Sequence, residues 1–200
     1  TAELLLDGCK ATQLGEIGRG VPTIANMLHL TRLHNACAAV GAMRQAQLFA
    51  RDFSTKRFAF GKMICDFPLH VQTLARMEVE TRSANALLLR VAELFGQYEV
   101  GKTNGADSQE YQRSYLLMRS LTPLLKFYTA KQAVAVCSEA METFGGSGYM
   151  EDSEMPVLLR DAQVLPIWEG TSNIMSLDVL RSIFTSKGEA LKVILEDALI

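Results

Sequence analysis

Long apolar runs are missing from this sequence. Nowhere do 18 or more apolar residues follow one another without interruption, so no segment reads as a membrane-spanning helix. The start of the chain lacks the basic-then-apolar layout of a secretion signal, and it opens on Thr1 rather than Met, so a fragment of a longer protein is expected. Charge of one sign is also scarce: 20 basic side chains stand against 22 acidic ones, with no run of like charge. That balance offers no footprint for nucleic acid or for an anionic membrane. The four cysteines, Cys9, Cys37, Cys65 and Cys137, lie far apart with no C-x-x-C pair. Such spacing suits reduced thiols in an intracellular compartment, filling space as small apolar groups. The three histidines, His29, His34 and His70, have no partner at metal-ligand spacing, so no metal site is assigned. Internal repeats and low-complexity tracts are absent as well.

What is present is an ordinary globular composition, 48% hydrophobic and 21% charged over 200 residues, enough for one domain with a real core. Residues 1–20 read unlike the rest, with Glu3 to Leu6 in the pattern of a short strand and four glycines after it. From Pro22 to about Arg51 apolar residues recur at three- and four-residue steps (Ile24, Met27, Leu28, Leu33, Ala36, Cys37, Val40, Met43, Leu48), which predicts a long core helix. Asp66 and Pro68 mark the start of a second helix running to about Phe95, with Leu69, Leu74, Met77, Thr81, Leu88 and Val91 or Leu94 inward. Gly96 to Ser108 reads as a polar link. A third helical pattern runs from Gln109 to Phe144, with a break expected near Thr122 because Pro123 cannot continue the ladder, and Gly145-Gly146 ends it. A short element near Pro156 to Arg160, a helix from Thr171 to Thr185 and a helical segment 187–200 complete the chain. Long helices without alternating strands predict an all-α fold, an antiparallel four-helix bundle over residues 21–200.

Three segments depart from bundle logic. Arg57-Phe-Ala-Phe-Gly-Lys62 combines cations, aromatics and a glycine, which suits an anionic, partly aromatic ligand or else a solvated connector. Glu142-Thr-Phe-Gly-Gly-Ser-Gly-Tyr149 would let backbone approach a ligand, although a helix C-cap also explains most of its glycines. In Trp168-Glu-Gly-Thr-Ser-Asn173, Thr171 or Ser172 would cap a helix whose free N–H groups attract anions, and Glu169 is either a catalytic carboxylate or an acidic residue favoured by the helix dipole. Arg32, beside Thr31, fits either a surface cation or a buried ligand contact.

The first helix and these three segments, in this order and at these separations, resemble the C-terminal helical domain of the flavin-dependent acyl-CoA dehydrogenases. The likeness covers nearly the whole chain. It implies that Glu169 is the catalytic base that removes the α-proton of an acyl thioester. It implies further that Arg57, Phe58 and Ala59 contact the FAD of a neighbouring subunit, together with Glu142, Gly145, Gly146, Thr171, Ser172 and Asn173. Arg32 and Gly170 fall at acyl-CoA contacts. Residues 1–20 would be the tail of a preceding β domain that covers the flavin ring. The implied protein is a homodimer or homotetramer passing electrons to an electron-transfer flavoprotein or similar acceptor, mitochondrial or peroxisomal in a eukaryote and cytoplasmic in a bacterium. This fragment alone would be inactive.

Glu142 stands where a glutamine is more usual, Pro68 where many members have another glutamine, Trp168 where tyrosine is common, and His29 where an acidic residue is usual. Taken with Asp66-Phe-Pro68 and the Leu177-Asp-Val-Leu-Arg181 ending, these features look closer to the AidB-like branch, some of whose members have been discussed as acyl-CoA or fatty-acid binders and as DNA-associated proteins with weak dehydrogenase activity. A non-catalytic lipid-binding or DNA-associated flavoprotein is therefore the alternative to an enzyme making a trans-2-enoyl-CoA. The absence of a basic stripe weighs against DNA contact through this domain.

Overall fold

The computed structural model describes residues 2–104 and 108–198. Three long helices carry the architecture: α1 (Gly20–Lys56), α2 (Pro68–Asn104) and α3 (Gln109–Thr143). A hairpin, β1 (Phe58–Ala59) with β2 (Lys62–Met63), and a 3-10 turn at Ile64–Asp66 connect the first two. Beyond α3 come α4 (Gly146–Tyr149), α5 (Met155–Val164), α6 (Ser172–Thr185) and α7 (Glu189–Asp197).

The middle of the bundle is α3, which packs against α1, α2, α5, α6 and α7. Cross-helix contacts give the directions. Ser54 meets His70 and Arg44 meets Glu78, so α1 and α2 run antiparallel. Tyr128 meets Glu80 and Ser114 meets Gln97, so α2 and α3 do too. Arg119 meets Asp178 and Arg113 meets Glu196, which sets α6 and α7 antiparallel to α3 as the fourth layer. The seam between α1 and α3 is lined by small residues, Ala36, Ala39, Ala46 and Ala50 with Ala130, Ala133 and Ala140, all fully buried. Small side chains let the two backbones approach closely, and Met43, Leu125 and Met155 fill the remaining volume.

Several sequence expectations change here. Helix α2 does not stop near Phe95: it continues through Gly96 to Asn104, and of the expected link only residues 105–107 lie outside the described residues. Gly101 in that extension is a packing residue, since a Cβ there would enter the ring of Tyr111, which stacks on Tyr98 at 5.6 Å. Helix α3 runs unbroken through Pro123. An interior proline costs about 3 kcal/mol, and a helix covered by neighbours along its length offsets that through packing. Ser108 caps its start, accepting a hydrogen bond from the Tyr111 amide at 3.1 Å.

Not every periodic apolar residue is core. Ile24, Met27, Cys37 and Leu48 of α1 and Leu69 of α2 are exposed, because α1 is apolar on more than one side and only the stripe through Leu33, Ala36, Val40 and Met43 faces its neighbours. Of the four cysteines only Cys137 is buried, whereas Cys9 and Cys37 are exposed. Residues 3–6 form no strand; the strands among the described residues are the two of the hairpin, and a ladder needs a partner. No helix among the described residues is long and apolar enough to cross a membrane.

Candidate active site

Two consecutive residues between α5 and α6 sit in the left-handed region of backbone space, Glu169 at φ 60° and Gly170 at φ 107°. Gly170 suits this conformation; Glu169 does not, and such a residue persists only where its surroundings hold it. Three side chains from two helices do so. Thr31 of α1 donates to Glu169 Oε2 at 2.7 Å, and Arg32 Nε donates to the Glu169 carbonyl at 3.2 Å. From α3, Lys126 Nζ donates to the Gly170 carbonyl at 2.6 Å. A fourth tie lies just upstream, where Asn35 Nδ2 donates to the Leu165 carbonyl at 3.1 Å.

Behind this loop an ion cluster joins three helices: Asp178 of α6 accepts from Arg32 Nη1 of α1 and from Arg119 Nη2 of α3, each at 2.6 Å. Burial raises the Asp178 carboxyl, but the hydrogen bonds from Arg119 and Arg32 outweigh it, and the net shift is downward. The cluster borders a cavity of about 260 Å³ whose walls include His29, Arg32, Arg119, Leu177 and Arg181. Burial, followed by the charges of Arg119 and Arg32, pushes the His29 imidazole down to about 4 against the opposing pull of Asp178. It is neutral near pH 7. Among the described residues its Nδ1 is buried without a partner, as is Nη1 of Arg119, so the cavity presents polar atoms to whatever fills it.

Sequence reasoning assigned Glu169 to catalysis, Arg32 and Gly170 to acyl-CoA and Thr171 to the flavin of a neighbouring subunit; within one chain the fold brings these four residues together at one loop. Thr171 holds the N-cap position of α6 with ψ 171°, but its hydroxyl makes no capping bond, contrary to expectation, and Ser172 is the first helical residue. The opening N–H groups of this 14-residue helix, together with exposed Thr171 and Asn173, thus remain available to an anion such as a cofactor phosphate.

The other expected flavin contacts lie elsewhere. Phe53 stacks on Phe144 at 4.4 Å, so α1 and α3 end side by side, and Arg57, Phe58 and Ala59 share that end of the bundle with Glu142, Gly145 and Gly146. Lys56 and Phe144 line one apolar cavity there, about 270 Å³ in volume. Gly145, at φ 60°, reverses the chain after α3, and a Cβ on Gly148 would fall inside contact distance of the Met141 carbonyl. Arg32 and Arg57 are separated by about 37 Å of helix at roughly 1.5 Å per residue. The two groups of candidate residues within one chain therefore cannot grip the same end of one cofactor. Lys126, Arg119 and Asp178 are site residues that sequence reading missed. Their signal was present: Lys126 stands between Leu125 and Phe127, and Asp178 between Leu177 and Val179, each a charge inside an apolar run.

Residues 18–184 match the family described as "Acyl-CoA dehydrogenase, C-terminal domain". The chain belongs to the acyl-CoA dehydrogenase family. Among relatives, it is 53% identical over 187 residues to acyl-CoA dehydrogenase family member 11 of Caenorhabditis elegans, covering 94% of this chain and 29% of that protein. It is 38% identical over 168 residues to the putative acyl-CoA dehydrogenase AidB of Escherichia coli, covering 84% of this chain and 29% of that one. The likeness to the AidB branch is thus real but weaker than that to family member 11. Among solved structures, ACDH-11 of C. elegans in complex with C11-CoA superposes with a TM-score of 0.82 at 52% identity, over 90% of this chain and 29% of that one. The chain accordingly spans under a third of the length of these acyl-CoA dehydrogenase relatives.

Proposed function

We propose that the protein to which this domain belongs is an FAD-dependent acyl-CoA dehydrogenase, with Glu169 as the base that takes the α-proton of the thioester. The observation that carries this reading is the fixed carboxylate. Glu169 sits in an unfavourable backbone conformation, half-buried, its direction set by Thr31 and its peptide held by Arg32 and Lys126. A proton beside a thioester carbonyl is weakly acidic, so the base has to be held in contact with it, away from competing water. Position matters more here than intrinsic basicity.

FAD, when bound, would accept the hydride from the β-carbon, giving a trans-2-enoyl-CoA. Thr171, Ser172, Asn173 and the start of α6 would hold a phosphate of the cofactor in their own subunit's site. Arg57, Phe58, Ala59, Glu142, Gly145 and Gly146, at the far end of the bundle, would serve the cofactor of a neighbouring copy, making the active unit a dimer or larger. Arg32, Gly170 and the cavity beside His29 belong to the acyl-CoA side, in keeping with the C11-CoA held by ACDH-11. Exposed apolar residues on three helices, among them Ile24, Leu69, Leu177 and Phe184, match surfaces that further domains or copies would cover. Residues 1–20 would lead in from a preceding β domain. Electrons would leave to an electron-transfer flavoprotein or a similar acceptor.

The experiment is an anaerobic titration of the full-length flavoprotein with saturated acyl-CoAs of increasing chain length. Loss of the visible flavin absorbance with formation of enoyl-CoA is expected; tight binding with unchanged flavin absorbance across the series would instead identify a non-catalytic acyl-CoA binder.

A further inference from the structure

We infer that Lys126 is a positioning residue for the Glu169 carboxylate, acting through the Gly170 peptide; this rests on the reading of Glu169 as the base. Lys126 is 1% exposed, in the middle of a helix surrounded by others, yet it carries an ammonium whose Nζ lies 2.6 Å from the Gly170 carbonyl oxygen. A buried charge is a poor way to stabilise a fold, because desolvation offsets most of what the charge gains. Burial, and then the charge of Arg32, lower the lysine to about 8, with Glu169 pulling the other way, so it remains cationic near neutral pH.

What the ammonium does locally is specific. Glu169 and Gly170 offer two successive carbonyls, and each is gripped by a cation from a different helix, Arg32 of α1 for the first and Lys126 of α3 for the second. The carboxylate itself has Thr31. Gly170, lacking a Cβ, is the point in this loop where the peptide rotates most easily. Fixing its carbonyl to α3 stops that rotation and leaves the Glu169 side chain one direction. Releasing it lets the carboxylate swing, and a misplacement on the order of 1 Å costs about 100-fold in a reaction that depends on alignment.

The test uses the full-length flavoprotein. Wild-type protein is first mixed anaerobically with an acyl-CoA; if it leaves its flavin oxidised, the proposed activity fails and Lys126 is judged by structure alone. The variant Lys126→Met keeps the length and fills the space but removes the donor. Flavin reduction in a single turnover is expected to slow about 10- to 100-fold, with flavin content retained and the acyl-CoA dissociation constant within about threefold of wild type. In Lys126→Ala, added propylammonium is expected to restore part of the rate and propanol none. The activity-independent readout is the crystal structure of Lys126→Met, in which the Gly170 carbonyl is expected to rotate and the Glu169 carboxylate to leave Thr31. An unchanged Glu169–Gly170 backbone there overturns the inference. So does a rate within about twofold of wild type, or a loss that only follows weakened acyl-CoA binding. Failure of both variants to fold with flavin bound would assign Lys126 to the fold instead.

Discussion

The two ends of the bundle are built on opposite principles. Around Glu169 the polar groups that shape the loop are buried or half-buried and tied to one another within the chain: Thr31, Arg32 and Lys126 hold the turn itself, Asn35 holds the segment just upstream, and Arg119 and Asp178 back Arg32. At the other end the hairpin projects outward, with Phe60 97% and Phe58 61% exposed, and Arg57, Glu142, Gly145 and Gly146 are exposed too. A region that must hold one atom in place is stabilised internally. One that grips another molecule keeps its groups unspent until the partner arrives. The comparison implies that changes at the first end alter rates, whereas changes at the second alter what the protein retains.

The largest effect among the variants that test this contrast is expected from Gly170→Ala. A Cβ at φ 107° is strained by about 1–3 kcal/mol and would meet the Met175 methyl at 2.5 Å, so thermal stability falls and flavin reduction slows with it. A melting curve and a single-turnover rate both equal to wild type would break the picture of a tightly determined loop. Next comes Arg57→Ala in the full-length protein. On the proposed role of Arg57 at a cofactor phosphate, removing its charge-assisted bond is expected to weaken FAD retention by about 10- to 100-fold while leaving the turnover of flavin-loaded enzyme nearly intact. Should the loaded enzyme turn over slowly instead, the division between the two ends is wrong. Thr31→Val keeps the shape and removes the donor to Glu169; about a tenfold slower flavin reduction is expected, with acyl-CoA affinity preserved, measured by stopped-flow.

The smallest effect concerns His29. Its folded-state value lies near 4, below an unfolded value of 6.5, so the unfolded chain binds the extra proton first. Stability contributed by the neutral imidazole is present above about pH 6.5 and is lost as pH falls from there toward 4. After discounting for partial exposure this amounts to on the order of 1 kcal/mol. Denaturant melts of wild type and His29→Gln across that window are expected to converge as pH drops. Parallel curves would mean that His29 titrates normally in the folded protein.

How much of this was written plainly in the sequence differs between fold and site. Helical period and glycine or proline punctuation located α1, α6 and the starts of α2 and α3, because burial of one stripe per helix is a local pattern. Gly96 and Pro123 misled for a common reason: each is a local breaker overridden by neighbours that the sequence brings close only in three dimensions. Exposed Ile24, Cys37 and Leu69 misled in the other direction, since period alone does not say which apolar side has a partner in this chain. At the site, Glu169 was visible through its motif, but its positive φ and its partners were not. Thr31 lies 138 residues away and Lys126 44 residues away, and nothing in local spacing connects them.

The central claim is that the Glu169 carboxylate is the base, and Glu169→Gln in the full-length flavoprotein tests it most directly. Gln keeps the shape and can still hydrogen-bond to Thr31, but it cannot accept a proton. Flavin reduction by acyl-CoA, followed anaerobically in a single turnover, is expected to fall by at least about 10²- to 10⁴-fold while flavin and acyl-CoA remain bound. A variant that reduced its flavin at close to the wild-type rate would contradict the account and leave Glu169 as a strained turn residue without a part in the chemistry.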